Sequence, residues 1–280
     1  MGYTITVRMI AQYEKQLVAA EKSHATIEKY LRDIKAFYAF LPKSGRVEKE
    51  TVIAYKQRLE ERRAVSTANA AIAALNGFFA FFQFDALKVK PLKQQRRIFR
   101  DRTKELTKAE YLRLLEAANR IKNQRLLHIM QTLCATGVRI SELHDITVEA
   151  VRSGTAIVRS KGKTRPVLLM GKLRKALLQY CREHGIKSGS VFVTKRGRPV
   201  NRSNVWGEMK RLCREAQVEA GKVFPHNFRH LFAVTFYNMK KDIAKLADLL
   251  GHASIETTRI YIMESSEKHA QLIERLGLMI

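Results

Sequence analysis

Between His24 and Leu41 the apolar residues Ile27, Tyr30, Leu31, Ile34, Phe37, Phe40 and Leu41 recur at three- and four-residue steps. That spacing lines one face of an α-helix, and Ser23 stands where its hydroxyl would cap the first turn. The stretch "EKETVIAYKQRLEERR" predicts a second helix. "STANAAIAALNGFFAFFQF", capped by Ser66, predicts a third that is apolar almost all round, as a central helix is. With a helix before Ser23 these make a small bundle. The period then breaks in "KVKPLKQQRRIFRDRTK", which holds 8 basic residues, 1 acidic residue and a proline, and reads as a linker. Beyond it, Thr107 and Glu110 have the TxxE spacing of a capping box in front of "KAEYLRLLEAANR". Helices dominate from there on, except that "TAIVRSKGKTRPVLL" has two β-prone runs around a Lys-Gly-Lys-Thr turn and predicts a hairpin. The expected organisation is a helical domain over 1–87, a basic linker over 88–104 and a mostly helical domain over 105–280 that carries a small antiparallel hairpin and ends in a tail helix.

Composition narrows what such a chain can bind. In 280 residues, Lys and Arg outnumber Asp and Glu by 52 to 26, a net charge of +26. Both halves share the surplus, with 21 basic and 10 acidic residues over 1–104 and 31 and 16 over the rest. A polyanion gripped from two sides, double-stranded DNA above all, is the expected partner. A membrane is not, because no long apolar run, amphipathic anchor or lipidation signal is evident. The start "MGYTITVRMI" lacks a secretory apolar core, so a cytoplasmic protein is expected. Cys134, Cys181 and Cys213 are scattered, without a CxxC pair, and read as small core residues rather than a disulfide or zinc framework. No HExxH and no GxxxxGK[ST] stretch occurs, so no metal, nucleotide or other cofactor is expected.

Four short stretches concentrate residues able to do chemistry: "ATGVRISEL" with Arg139, "SKGKTR" with Lys161, "PHNFRH" with His226 and Arg229, and "LGHASIETTRIYIM" with His252 and Tyr261. Each alone is ambiguous. A single arginine is usually a surface charge, a hairpin lysine is usually solvated, and a helix histidine usually packs or caps. Tyr261, among Ile255, Ile260 and Ile262, reads locally as core or as chemistry. The order of the stretches adds what none of them carries alone.

That order, arginine in an ATGxRxxEL box, a hairpin lysine, HxxRH, LGH and then tyrosine, resembles the tyrosine recombinase (phage integrase) family. The resemblance runs in motifs from Thr107 to Met263. It implies an N-terminal helical core-binding (SAM-like) bundle and a mixed, mostly α catalytic domain of the DNA breaking–rejoining type. It implies Tyr261 as nucleophile, Arg139 and Arg229 as phosphate clamps, His226 and His252 as hydrogen-bonding and proton-handling residues, and Lys161 as general acid. Glu142 would brace Arg139, and His230 would be structural support. "KGKTR" is one residue shorter than the family's usual KGxxxR turn, which leaves Lys161 and Lys163 both open, with Lys161 preferred because it precedes the glycine. Lys93, Arg96, Arg97 and Arg100 in the linker, with Lys163 and Arg165 in the hairpin, are the expected DNA contacts.

The chemistry these residue types allow is coherent. A phosphodiester is an anionic electrophile, and two guanidiniums on its non-bridging oxygens neutralise it while remaining charged at any working pH. A free tyrosine is ionised to roughly one part in a thousand at pH 7, so cations or a base must assist it. The leaving 5′-oxygen needs a proton, which a hairpin lysine can bring. Site-specific strand exchange without ATP or metal is the expected activity, and the family resemblance implies a homotetramer on two DNA sites. Relaxation of the type IB topoisomerase kind and a non-catalytic DNA-binding protein are the rivals. The expected layout resembles the simple Xer type, without room for an arm-binding domain before the first bundle helix. In the tail, His269, Leu272, Ile273 and Leu276 form one helical stripe behind a cap at Ser265 or Ser266, which is expected to be buried on its own domain or, as the family resemblance suggests and as is preferred, in a neighbouring protomer.

Overall fold

The computed structural model describes residues 2–93, 102–160, 162–194, 196–262 and 274. The chain divides into two compact units, Met1–Arg96 and Arg97–Ile280.

In the first unit, four helices, α1 (Val7–Ala19), α2 (His24–Tyr38), α3 (Lys49–Arg62) and α4 (Val65–Phe81), enclose one core. A two-residue antiparallel ribbon, β1 (Tyr3–Thr4) with β2 (Arg46–Val47), ties its start to the α2–α3 connection. Ser23 caps α2 through its hydroxyl, as its position implied. The α4 helix starts at Val65 after Ala64, two residues earlier than a Ser66 cap implies, so Ser66 lies inside it and does not cap. This helix is central. Phe78 and Phe79 are fully enclosed, and Gly77 leaves room for Tyr13 of α1, whose hydroxyl lies 2.6 Å from where a Cβ would stand.

The stretch from Lys88 to Lys93, read from sequence as the start of the linker, is folded against this unit. Asn76 of α4 exchanges two hydrogen bonds with the backbone of Val89, at 2.8 and 3.0 Å, and Asn69 does the same with Leu92, at 3.0 and 2.7 Å. Two side-chain amides, two helical turns apart, thus replace the backbone partners that an extended segment would otherwise lack. Lys93 is exposed at its end, while Arg96, Arg97 and Arg100 lie outside the described residues.

The second unit packs α5 (Lys108–Arg120), α6 (Gln124–Thr136), α7 (Val148–Ser153), α8 (Gly171–Glu183) and α9 (Arg202–Ala216) around a large apolar core. The capping box at Thr107 and Glu110 is formed in both directions. Strands β3 (Thr155–Ser160) and β4 (Lys163–Leu168) pair antiparallel from Thr155↔Leu168 to Ser160↔Lys163. Three further helices, α10 (Pro225–Lys240), α11 (Ile243–Leu250) and α12 (Ile255–Ile262), carry the remaining motifs and share a small core of Ala233, Leu246, Leu250 and Tyr261. Among the described residues no helix is long and apolar enough to cross a membrane.

Candidate active site

The site assembles where three chain reversals meet. The α6 helix ends at Gly137, whose φ of +64° is the left-handed conformation that favours glycine. Val138 then turns inward, and Arg139 opens a 3₁₀ turn over Ile140–Asp145. The RxxE spacing puts Glu142 back beneath Arg139. Its carboxylate accepts from the Arg139 guanidinium through Oε1 and from the Arg139 backbone N–H through Oε2, both at 2.8 Å. Glu142 is fully buried, whereas Arg139 keeps part of its side chain exposed.

Pro225 occupies the first turn of α10, where a missing N–H costs nothing. One turn on, Arg229 points into the protein and is only 2% exposed. Its Nη1 donates to the Gly137 carbonyl, and its Nη2 to the Leu250 carbonyl at 2.7 Å and to His252 Nε2 at 2.9 Å. Among the described residues none of its hydrogen bonds goes to a carboxylate. Burial, reinforced by the positive charge of Arg139, pushes its pKa down to about 10. Because Nε2 of His252 accepts from a guanidinium, the ring proton sits on Nδ1, which donates to Thr258 Oγ1 at 2.8 Å. Burial, then the charges of Arg229, Arg139 and Arg165, push the His252 pKa down to about 4, so the ring is neutral at pH 7.

Tyr261 follows on α12, one turn after Thr258, and its ring stands among three imidazoles: His226, His230 and His252 lie 5.6, 5.4 and 5.7 Å away, centroid to centroid. Its hydroxyl is 3.4 Å from His226 Nε2. His230, buried beneath it, has Glu105 at 3.4 Å from its own Nε2. The Tyr261 ring is itself buried, so it belongs to the small core and to the cluster of polar groups at once.

The structure therefore brings Arg139, His226, Arg229, His252 and Tyr261 together. Lys161 lies outside the described residues. Lys163 is exposed at the start of β4. Arg165, expected as a surface contact to DNA, is instead drawn inside. Its side chain is 12% exposed and donates to Glu142 Oε2 at 2.8 Å and to the Leu249 carbonyl at 3.2 Å. The alternation along β4 accounts for this, since Arg165 shares the face of buried Val167. Sequence reading also passed over Thr258 and Glu105, although Thr258 precedes Tyr261 by one helical turn and so shares its face.

Three guanidiniums thus converge where, among the described residues, Glu142 is the one carboxylate they bind, beside a phenol and a neutral imidazole. Residues 104–268 match the model of the phage integrase family, and residues 10–83 that of the phage integrase N-terminal SAM-like domain. The chain belongs to the phage integrase family. It is 30% identical to the tyrosine recombinase XerC of Roseiflexus castenholzii over 84% of this chain and 82% of that protein. It is 29% identical to the XerD of Chlamydia trachomatis serovar D over 90% and 89%. Its fold is that of solved integrases. A lambda integrase tetramer bound to a Holliday junction aligns at a TM-score of 0.73 and 18% identity over 92% of this chain and 77% of that one. XerH in its post-cleavage complex with a palindromic difH substrate aligns at 0.72 and 18% over 94% and 83%.

Proposed function

We infer that this phage integrase family member is a site-specific DNA recombinase that cuts and rejoins DNA through a 3′-phosphotyrosine intermediate. The observation that carries the reading is the unbalanced charge of the site. Among the described residues, buried Arg229 binds no acid, and Arg139 and Arg165 share Glu142. Such a cluster is costly unless an anion completes it, and the tyrosine beside it makes a phosphodiester the fitting one.

In this reading the Tyr261 oxygen attacks the phosphorus while Arg139 and Arg229 hold the non-bridging oxygens. The phenolic proton passes to His226, whose Nε2 lies 3.4 Å from the hydroxyl. His252 is neutral and already oriented by Thr258, so it serves as a fixed hydrogen-bonding group rather than a proton source. The bond from phosphorus to the 5′-oxygen breaks, and that oxygen takes its proton from Lys161. The phosphotyrosyl bond conserves the energy of the one broken. A 5′-hydroxyl from a second strand can therefore attack it and release Tyr261 with no other energy source.

The basic linker residues Lys93, Arg96, Arg97 and Arg100, with Lys163, would follow the DNA backbone, and protomers would assemble on paired sites. The tail beyond Met263 would pass to a neighbour, coupling the helix that carries Tyr261 to assembly. The test uses a duplex selected from a random-sequence pool by binding to the chain. In excess EDTA, plasmids bearing two copies should recombine. The chain truncated after residue 266 should bind one site normally but fill paired sites without cooperativity. Plasmid relaxation without exchange would assign a topoisomerase activity instead, and full cooperativity in the truncated chain would remove the tail exchange.

The assignment of the acid to Lys161 rather than Lys163 has its own chemical test. A 5′-bridging phosphorothiolate supplies a sulfur leaving group that needs almost no proton, so a variant lacking the acid regains activity on it. Rescue is expected for Lys161→Ala and not for Lys163→Ala; the reverse pattern would exchange the two roles.

A further inference from the structure

Arg165 is the one arginine of the cluster that the family order of motifs left as an ordinary DNA contact, and its surroundings do not suit that role. One face of its guanidinium is closed by the protein. Nη2 completes the carboxylate of Glu142, whose other bonds go to the Arg139 side chain and backbone N–H. Nη1 donates to the Leu249 carbonyl at the end of α11. That carbonyl is one of the last of its helix and has no intrahelical donor to meet, and a cation there also faces the negative end of the helix dipole. Arg229 takes the next carbonyl, that of Leu250. Two arginines from different elements therefore hold consecutive carbonyls just before His252.

Close packing reinforces the polar contacts. A Cβ at Gly251 would fall on the Cδ of Arg165, so glycine there serves both the left-handed turn, with φ of +63°, and the passage of this side chain. Arg165 also sits in β4, the strand of the hairpin that follows Lys161 in the sequence. One side chain thus ties together the 139–142 turn, the hairpin and the loop that presents His252.

We propose that Arg165 is a positioning residue for strand cleavage: it acts through Glu142 and the Leu249 carbonyl to keep Arg139 and His252 in register with the lysine hairpin, and it makes no phosphate contact of its own. The inference rests on the recombinase reading. Losing such a tether displaces groups that must be placed within a fraction of an ångström, an effect on the order of a hundredfold in rate, whereas losing a phosphate contact weakens binding and lowers the salt slope by about one.

The experiment compares Arg165→Gln and Arg165→Lys with the wild-type chain on the selected duplex, nicked at successive positions so that cleavage traps a covalent adduct. Single-turnover cleavage at saturating DNA should fall about a hundredfold in Arg165→Gln. In Arg165→Lys, which keeps the charge but reaches only one of the two acceptors, it should fall about tenfold. DNA affinity and its salt slope should be unchanged in both. Adding Glu142→Gln to Arg165→Gln should cost less than the product of the two single losses, because both act on Arg139. Cleavage within twofold of wild type in Arg165→Lys and Arg165→Gln, a salt slope reduced by about one, or fully multiplicative losses would each overturn the proposal. Arg165→Lys retains the buried charge and serves if Arg165→Gln fails to fold. Absence of any adduct from the wild-type chain would instead overturn the functional reading beneath it.

Discussion

Replacing Tyr261 by phenylalanine is expected to abolish the covalent protein–DNA adduct while leaving DNA binding and folding intact. The ring of Tyr261 is buried among Ala233, Leu246 and Leu250 and stands against three imidazoles, and phenylalanine keeps all of those contacts. What disappears is one oxygen, whose hydrogen bond to His226 is long, at 3.4 Å. Loss of so weak a bond costs stability about 1 kcal/mol or less, so the unfolding midpoint should move by no more than a few degrees. The loss in chemistry is not graded, because no other atom can form the phosphotyrosyl bond. Denaturing gels of the nicked selected duplex would show wild-type adduct and none in Tyr261→Phe. An adduct persisting in the variant would move the nucleophile elsewhere.

Much of this site can be read from the chain because its parts are spaced by local rules. The RxxE spacing implied that Glu142 braces Arg139, and it does. Pro225 opens the helix of His226 and Arg229, and Gly251 closes the helix before His252, each in the backbone conformation its residue type favours. The N-terminal bundle followed from apolar periodicity in the same way. Other features depend on partners far along the chain. Arg165 looks like any hairpin cation until β4 is known to turn it toward Glu142 and Leu249. The stretch 88–93 looks like linker because its charge hides Val89 and Leu92. The asparagines that hold them sit inside an apolar helix, where nothing in the local pattern assigns them an extended partner. The early start of α4 has a smaller cause: after α3 the chain turns at Ala64, in extended backbone, and enters the next helix without any side-chain cap.

Arg229→Met is expected to separate function from stability most sharply. A guanidinium whose pKa burial has pushed down to about 10 has given up ~3 kcal/mol of its preference for the charged form. Removing it leaves the Gly137 and Leu250 carbonyls and His252 Nε2 without their donor, at about 1 kcal/mol or somewhat more each. The two sides nearly cancel, as they often do when a buried charge is replaced by an apolar side chain of similar length. The unfolding midpoint of the free protein should therefore change little. Cleavage should fall by at least about a hundredfold, the usual cost of losing a donor aimed at charge in the transition state. An oxyanion such as vanadate should stabilise the wild-type chain in proportion to the logarithm of its concentration, and Arg229→Met should lose most of that response. If instead the variant unfolds many degrees earlier and, where still folded, cleaves within a fewfold of wild type, Arg229 is a structural strut for the Leu250 turn, and the anion must be held by Arg139 alone.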